Sequence, residues 1–202
     1  WGLTTNPLDV TDAYQESFIV NTYGLPTHTI YRGQAEPVQL VFQSYVVNRF
    51  DGTPDNAARD NSIGYLNGGV TVLVPRRNNG PVLSITGTSG LSAQYTGWGA
   101  TFELEAFRKI NKAQNLEQFR EAVTYFDVGS QNFAYADMEG NIAYFTSAEN
   151  PIRDDLQNLN APDGTPPSLI RDGTGARRNE WLPVANRIPN QAVPYEVMPA
   201  TE

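Results

Sequence analysis

The sequence predicts an α+β fold. Three observations carry this. Period-two runs such as "PVQLVFQSYVVNRF" and "VTVLVPRRNNGPVLSI" dominate the first hundred residues. Between Thr101 and Phe126 the apolar period lengthens to that of a helix. A hairpin signal, "AYADMEGNIAYF", then returns the chain to strand. Strands, helices and strands again, without a regular βαβ alternation, make a mixed α and β protein.

Taken in order, "WGLTTNPLDVTDAYQE" (residues 1–16) mixes turn formers with acids and reads as a loop leading into structure. "SFIVNTYG" and "THTIYRG" are strand-like, and "PVQLVFQSYVVNRF" suits a half-buried strand pair. "DGTPDNAARDNS" is surface loop by composition. The run from Val70 to Ile85 is a hairpin, with Asn79-Gly80 supplying a positive-φ turn. "SGLSAQYTGW" adds a strand. Phe102, Leu104, Phe107 and Ile110 mark the apolar face of one helix, and Leu116, Phe119, Val123 and Phe126 that of a second. Asn115 with Gln118 resembles a capping box, so the break falls near Gln114. In the hairpin that follows, Asp137 to Asn141 form the loop, with glycine where the backbone bends sharply. From about 158 to 190 the chain is rich in Pro, Gly, Asn and Asp, and a long ordered loop is expected. No internal repeat is apparent.

The bulk properties bound the function. The chain has 202 residues and a net charge of −8, with an isoelectric point near 4.6. Such a surface repels phosphate backbones and argues against nucleic-acid binding; Arg177 and Arg178 are too small a cluster to reverse that. No cysteine is present, which removes disulfides, thiolate metal sites and a cysteine nucleophile within the chain. The single histidine, His28, rules out a multi-histidine metal site and suits a solvated or packed role. No apolar run approaches the length of a membrane span. The chain starts on Trp1 without an initiator methionine and reads as a piece of a longer polypeptide.

Three places could carry chemistry. Asp9 and Asp12, with the carbonyl of Thr11, could ligate calcium, a hard cation that accepts carboxylate and carbonyl oxygens. From the spacing alone, solvated loop acids or helix N-caps are the favoured reading. Asn132, at the head of a strand of small and aromatic residues, could present an amide donor to an oxyanion, or satisfy local backbone groups. Arg153 in "ENPIRDD" suits surface ion pairing with Asp154 and Asp155, or orientation of a catalytic amide or a substrate carboxylate.

In order along the chain, "WGLTTN", "DVTDAYQE", "NGPVLS", "ELEAFRKINKAQNLEQFREA" and "SQNFAYADMEGNIAYF" followed by "PIR" resemble the central β-chain of penicillin acylase-type enzymes. The resemblance runs from Trp1 to about Leu156 and weakens through the Pro/Gly-rich tail. It implies one fragment, residues 1–202, of an N-terminal nucleophile hydrolase with an αββα-type fold and β-rich insertions. In such enzymes the first residue of the β-chain attacks an amide, with its own α-amino group as base. Trp1 has no such competence, so the nucleophile would lie upstream of this chain. The resemblance places the oxyanion donors on the side chain of Asn132 and the backbone N–H of Thr5. It places the structural calcium loop on Asp9, Thr11 and Asp12. It assigns Arg153 to orienting Asn132 or the surroundings of the nucleophile. Pro7 stands where some members carry a pocket aromatic, which leaves the acyl preference open.

The substrate implied is a small acyl amide, penicillin-like or N-acyl-homoserine-lactone-like. The partners implied are the α-chain and the rest of the β-chain, in the bacterial periplasm or outside the cell. This fragment alone would be inactive. The alternative from another class is a non-catalytic β-rich module binding carbohydrate or peptide, since Tyr and Trp can stack on sugar rings.

Overall fold

The computed structural model describes residues 1–47, 58–59, 64–66, 69–77, 79–157, 164–182 and 195–197. Among them run β1 (Gly2–Thr5), β2 (Thr11–Val20), β3 (Pro26–Tyr31), β4 (Gln34–Pro37), β5 (Gln39–Val47), β6 (Ala58–Arg59), β7 (Gly64–Leu66), β8 (Gly69–Arg77), β9 (Gly80–Thr86) and β10 (Ser89–Tyr95). The helices α1 (Glu103–Ile110) and α2 (Leu116–Val123) follow, then β11 (Gln131–Ala136), β12 (Ile142–Glu149), β13 (Arg171–Asp172) and β14 (Tyr195–Val197). The polar loop expected over 51–62 lies outside the described residues except for β6, as do 158–163 and 183–190 of the long loop. The sequence reads as one fragment; the structure divides into two compact units.

The first unit takes in Trp1–Asp12, Gln94–Arg171 and Arg177–Glu202. Its sheet has the order β1–β11–β12–β14, each neighbouring pair antiparallel. Side chains alternate across a strand, so Phe133 and Phe145, paired directly opposite on β11 and β12, fall on one face, and both are fully buried. The two helices supply Ala106, Ile110, Phe119, Ala122 and Val123 to the same core. Phe119 is its hub, with its ring 4.9–6.3 Å from those of Trp1, Phe133, Tyr135 and Phe145. A fully buried phenylalanine of this kind contributes about 1.5–3 kcal/mol.

The helix break falls as the pattern requires. Asn115 is extended, and its side-chain oxygen accepts from the Gln118 N–H at 2.9 Å. The return bond of the capping box is displaced by one residue: the Gln118 side-chain Oε1 accepts from the Gln114 N–H at 2.8 Å. One expected face residue is corrected. Leu104 is 87% exposed, because the inward stripe of α1 runs through Ala106, Phe107 and Ile110 and leaves it on the opposite side.

The opening segment is a second correction. Of residues 1–16 only the first residue and the stretch 6–10 lie outside strands: β1 and most of β2 fall there. The buried positions of β2 are Asp12, Tyr14, Glu16 and Phe18, a period-two face that is half carboxylate and so does not read as hydrophobic.

The second unit takes in Ala13–Ala93 and Asp172–Ala176. Its strands follow the order β4–β3–β2–β10–β9–β8–β5–β6, with β7 also on β8. Phe18, Val38 and Val82 form its core, with Val20 and Ile85 against them. Glu16 lies inside and is fully provided for. It accepts from Thr29 Oγ1 at 3.0 Å, from Ser92 Oγ at 2.6 Å and from Arg77 Nη1 at 3.2 Å. A buried carboxylate without such partners would be strongly unfavourable. Gly173 packs so tightly here that a Cβ would stand 2.7 Å from the Glu16 carboxyl carbon. In the β8–β9 hairpin Arg77 pairs with Gly80, so Gly80 belongs to the return strand and not to the expected Asn79-Gly80 turn. Gly80, at φ 154°, opens the return strand. His28 on β3 is half-buried, its Nδ1 3.1 Å from the Thr27 hydroxyl.

The loop of the β11–β12 hairpin is closed by Asp137. Its Oδ1 accepts from the N–H groups of Glu139 and Asn141, both at 3.0 Å, and its Oδ2 from the Asn141 amide at 2.8 Å and the Tyr135 hydroxyl at 3.0 Å. Gly140 takes φ 90°. Donation from the Asn141 side chain, above all, holds the Asp137 carboxyl below its usual pKa. A lowered folded-state pKa stabilises above the ordinary aspartate value, about 3.9, and is lost as pH falls through the lowered one. Asp137→Ala is therefore expected to melt below the parent at neutral pH, the gap closing below about pH 4. Melting curves taken across that range that stay parallel would refute the role given to the carboxylate.

Candidate functional site

β1 is the end strand of its sheet and pairs with β11 in the register Thr4↔Asn132 and Thr5↔Gln131. Just beyond it, the Asn6 N–H donates to the Ser130 carbonyl at 2.9 Å. Antiparallel ladders alternate between hydrogen-bonded and non-hydrogen-bonded pairs. Asn6 and Ser130 form a bonded pair, so Thr5 and Gln131 form an unbonded one. The Thr5 N–H therefore points away from β11, out of the open edge of the sheet.

Asn132 sits diagonally across from it. The face of β11 that carries Phe133 and Tyr135 packs on the helices, and alternation turns Asn132 to the other face. There it lies between two threonines directly opposite on the flanking strands, Thr4 and Thr146. Its Oδ1 accepts from Thr146 Oγ1 at 3.2 Å, which fixes the amide plane. Its Nδ2 donates to Thr4 Oγ1 and to the Thr5 carbonyl, both at 3.3 Å. Both donations are longer than the usual 2.7–3.2 Å of N–H···O bonds, so the two amide hydrogens are held weakly. A charged oxygen would be the stronger acceptor. The structure thus brings Thr5 and Asn132 together, one main-chain and one carboxamide donor within a single sheet edge.

Asp9, Thr11, Asp12 and Arg153 meet at a second place in the same unit. Arg153 is not surface ion pairing: it is 8% exposed. Its Nε donates to Asp12 Oδ2 at 2.8 Å and its Nη2 to the Asp9 carbonyl at 3.2 Å, with Asp9 Oδ1 at 3.5 Å. The neighbouring acids go elsewhere. Asp154 takes both bonds of Arg178, at 2.8 and 2.7 Å, and that contact raises the pKa of the guanidinium. Asp155 pairs with Arg171. No hydrogen bond links Arg153 to Asn132, so any influence of the arginine on that amide is indirect.

Asp12 is fully buried, and Thr11 and Asp9 are exposed. Its Oδ2 also accepts from Trp181 Nε1 at 2.5 Å, with Arg171 Nε at 3.8 Å. Its Oδ1 is buried with no partner. An unsatisfied buried carboxylate oxygen costs more than the 1–3 kcal/mol of a neutral group, and a cation would satisfy it. The fit to calcium rests on that oxygen and on the oxygens of Asp9 and Thr11; among the described residues no cluster of three or more acids or histidines completes a shell.

Sequence reasoning missed Thr4, Thr146, Arg171 and Trp181. The threonines were within reach, since counting back equally from the hairpin loop sets Thr146 opposite Asn132. Arg171 and Trp181 lie in a segment without periodicity, and nothing local announces their contacts.

The family described as Penicillin amidase matches residues 1–202. A penicillin G acylase of Alcaligenes faecalis, a thermostable enzyme solved in an orthorhombic form, has a similar fold, with a TM-score of 0.63 and 21% identity. The match covers 100% of this chain and 32% of that one, so the chain spans about a third of the acylase's length. With the family matched from end to end and its fold shared, this chain belongs to the penicillin amidase family.

Proposed function

We propose that this chain is the part of an amidohydrolase that supplies the oxyanion hole for cleavage of a linear acyl amide. The pairing of the outward Thr5 N–H with the loosely held Asn132 amide carries the reading. A nucleophile outside this chain, the first residue of a β-chain with its own amino group as base, attacks the substrate carbonyl. The carbonyl oxygen gains negative charge as the tetrahedral intermediate forms. Thr5 N–H and Asn132 Nδ2 donate to it, while Thr146 holds the carboxamide so that its nitrogen faces the charge. The charge strengthens both bonds, so they favour the transition state over the bound substrate. The acyl group is penicillin-like or N-acyl-homoserine-lactone-like. The enzyme is periplasmic or secreted.

The remaining α-chain and β-chain complete an αββα arrangement. In support, the helices cover one face of the β1–β11–β12–β14 sheet, and the other, with Ile142 59% and Tyr144 39% exposed, is apolar enough to receive a second sheet. Calcium, when bound, would join the strand start to the arm before it through Asp12 Oδ1, Asp9 and the Thr11 carbonyl, a structural role distant from proton transfer.

Asn132→Ala in the full-length protein is expected to lower kcat about 10²–10³-fold, with melting little changed because its bonds are long. Steady-state hydrolysis of acyl p-nitroanilides measures this, and a near-parental rate would dismiss the oxyanion role. Calcium is expected to raise the melting temperature of the full-length protein, by about 2.7 kcal/mol of stability at a hundred times its Kd, and Asp12→Asn to abolish the response. An equal calcium shift in the variant would remove Asp12 from the site.

A further inference from the structure

We infer that Arg171 and Trp181 form a latch on Asp12 that fixes the arm Asn6–Asp12, and through it the position of the Thr5 donor; the catalytic half of this inference rests on the function proposed above. The arm is pinned near Thr5 by Asn6, whose N–H donates to Ser130 and whose carbonyl accepts from Ser130 Oγ at 2.7 Å. At its far end the pin is the buried carboxylate of Asp12, and the donors that hold it come from 153–181.

Those donors are built as a unit. Arg153 and Trp181 are partners in an isolated antiparallel bridge. Flanking bonds, Asp154 N–H to the Glu180 carbonyl at 2.9 Å and Leu182 N–H to the Ile152 carbonyl at 2.8 Å, keep them in register. Side chains of directly opposed residues project to the same face, and both reach Asp12 Oδ2. Trp181 is half-buried; an indole N–H turned inward finds an acceptor, and here that acceptor is Asp12.

Arg171 holds the segment behind the bridge. It is 1% exposed. Its Nη1 donates to the Thr165 carbonyl at 2.7 Å, its Nε to the Asn179 carbonyl at 3.3 Å, and its Nη2 to Asp155. Asn179 Nδ2 closes the ring on Asp155 Oδ2 at 2.8 Å. The same guanidinium stands 3.8 Å from Asp12 Oδ2. None of these groups reaches Thr5 or Asn132, so they are positioning residues. β1 is four residues long, exposed along its length and, among the described residues, paired on one side only. Where its last residue sits is therefore set by β11 and by the arm that leaves it. Misplacing a catalytic donor by about 1 Å can cost a hundredfold in rate.

The test uses the full-length protein with Trp181→Phe, which keeps the ring and removes the N–H, and with Arg171→Met and Arg171→Lys. Amide hydrogen exchange over residues 5–12 is read against that of α1 and α2, alongside kcat and KM on a panel of linear and arylacetyl p-nitroanilides. Trp181→Phe and Arg171→Met are expected to speed exchange in the arm about tenfold or more with the helices unchanged. They should lower kcat about tenfold with KM within about twofold, since a donor used in the transition state is disturbed. Arg171→Lys, retaining the charge, should recover part of both. Unchanged exchange in the arm overturns the latch, and faster exchange at parental kcat overturns its link to Thr5. If Arg171→Met does not fold, Trp181→Phe decides alone. A parent that cleaves no anilide, with arm exchange still accelerated in the variants, sinks the acylase reading and sustains the latch.

Discussion

The register of three antiparallel strands governs the placement of Thr5 and Asn132 in the first unit. Once Asn6 bonds Ser130, alternation leaves the Thr5 N–H unpaired by β11. Once β11 meets β12 with Ala136 opposite Ile142, Asn132 must face Thr146. A slip by one residue would carry Asn132 to the helix side and expose Phe133, exchanging a core ring for a carboxamide. The aromatic packing around Phe119 penalises that slip by several kcal/mol, about the value of a buried phenylalanine or two. The hydrophobic core is thus the device that aims a polar group.

That relation explains what the sequence could and could not disclose. The helices, their break at Asn115 and the β11–β12 hairpin were legible because local signals and tertiary burial agree there. Phe119, Val123 and Phe126 recur at helical spacing, and Asn115 caps in the way its side chain favours. The start of β2 was illegible because its buried face alternates acid and aromatic, and a binary pattern scores Asp12 and Glu16 as surface. Leu104 misled for the converse reason: a lone apolar residue off the stripe imitates the pattern without sharing the burial. The candidate site divides the same way. Asn132 could be singled out and its neighbours counted from the hairpin, but the burial of Arg153 and the convergence of Trp181 on Asp12 depend on contacts across 141 and 169 residues of chain.

The two buried acids of β2 show two ways of keeping a carboxylate inside a protein. Glu16 is satisfied on both oxygens by Thr29, Ser92 and Arg77. Nothing about it asks for a further ligand, and deleting any partner would leave a charge without compensation. Asp12 has one oxygen crowded by an arginine and an indole, and the other bare. Equal burial with unequal satisfaction is what makes Asp12, and not Glu16, the candidate for a further ligand. Composition cannot make that distinction, since both are single acids on the same face of one strand.

The unsatisfied atoms are also unevenly placed. Besides Asp12 Oδ1, the buried side-chain atoms without partners include Asn6 Nδ2 in the same arm and Thr96 Oγ1, whose own N–H bonds the Val10 carbonyl at 3.3 Å. Arg77 Nε and Asn79 Oδ1 are unpartnered in the second unit, but folded proteins pair nearly all such atoms, so a donor and an acceptor left over in one seven-residue arm, with a hydroxyl on the residue bonded to it, fit groups supplied from elsewhere. This chain spans about a third of the acylase it resembles in fold, and the arm ends beside the outward amide of Thr5. A reaction centre completed by other segments would leave such a trace here. Under the proposed function, the part that carries the oxyanion donors keeps its own core intact, and the unpartnered atoms of its arm lie where further segments of the enzyme would dock.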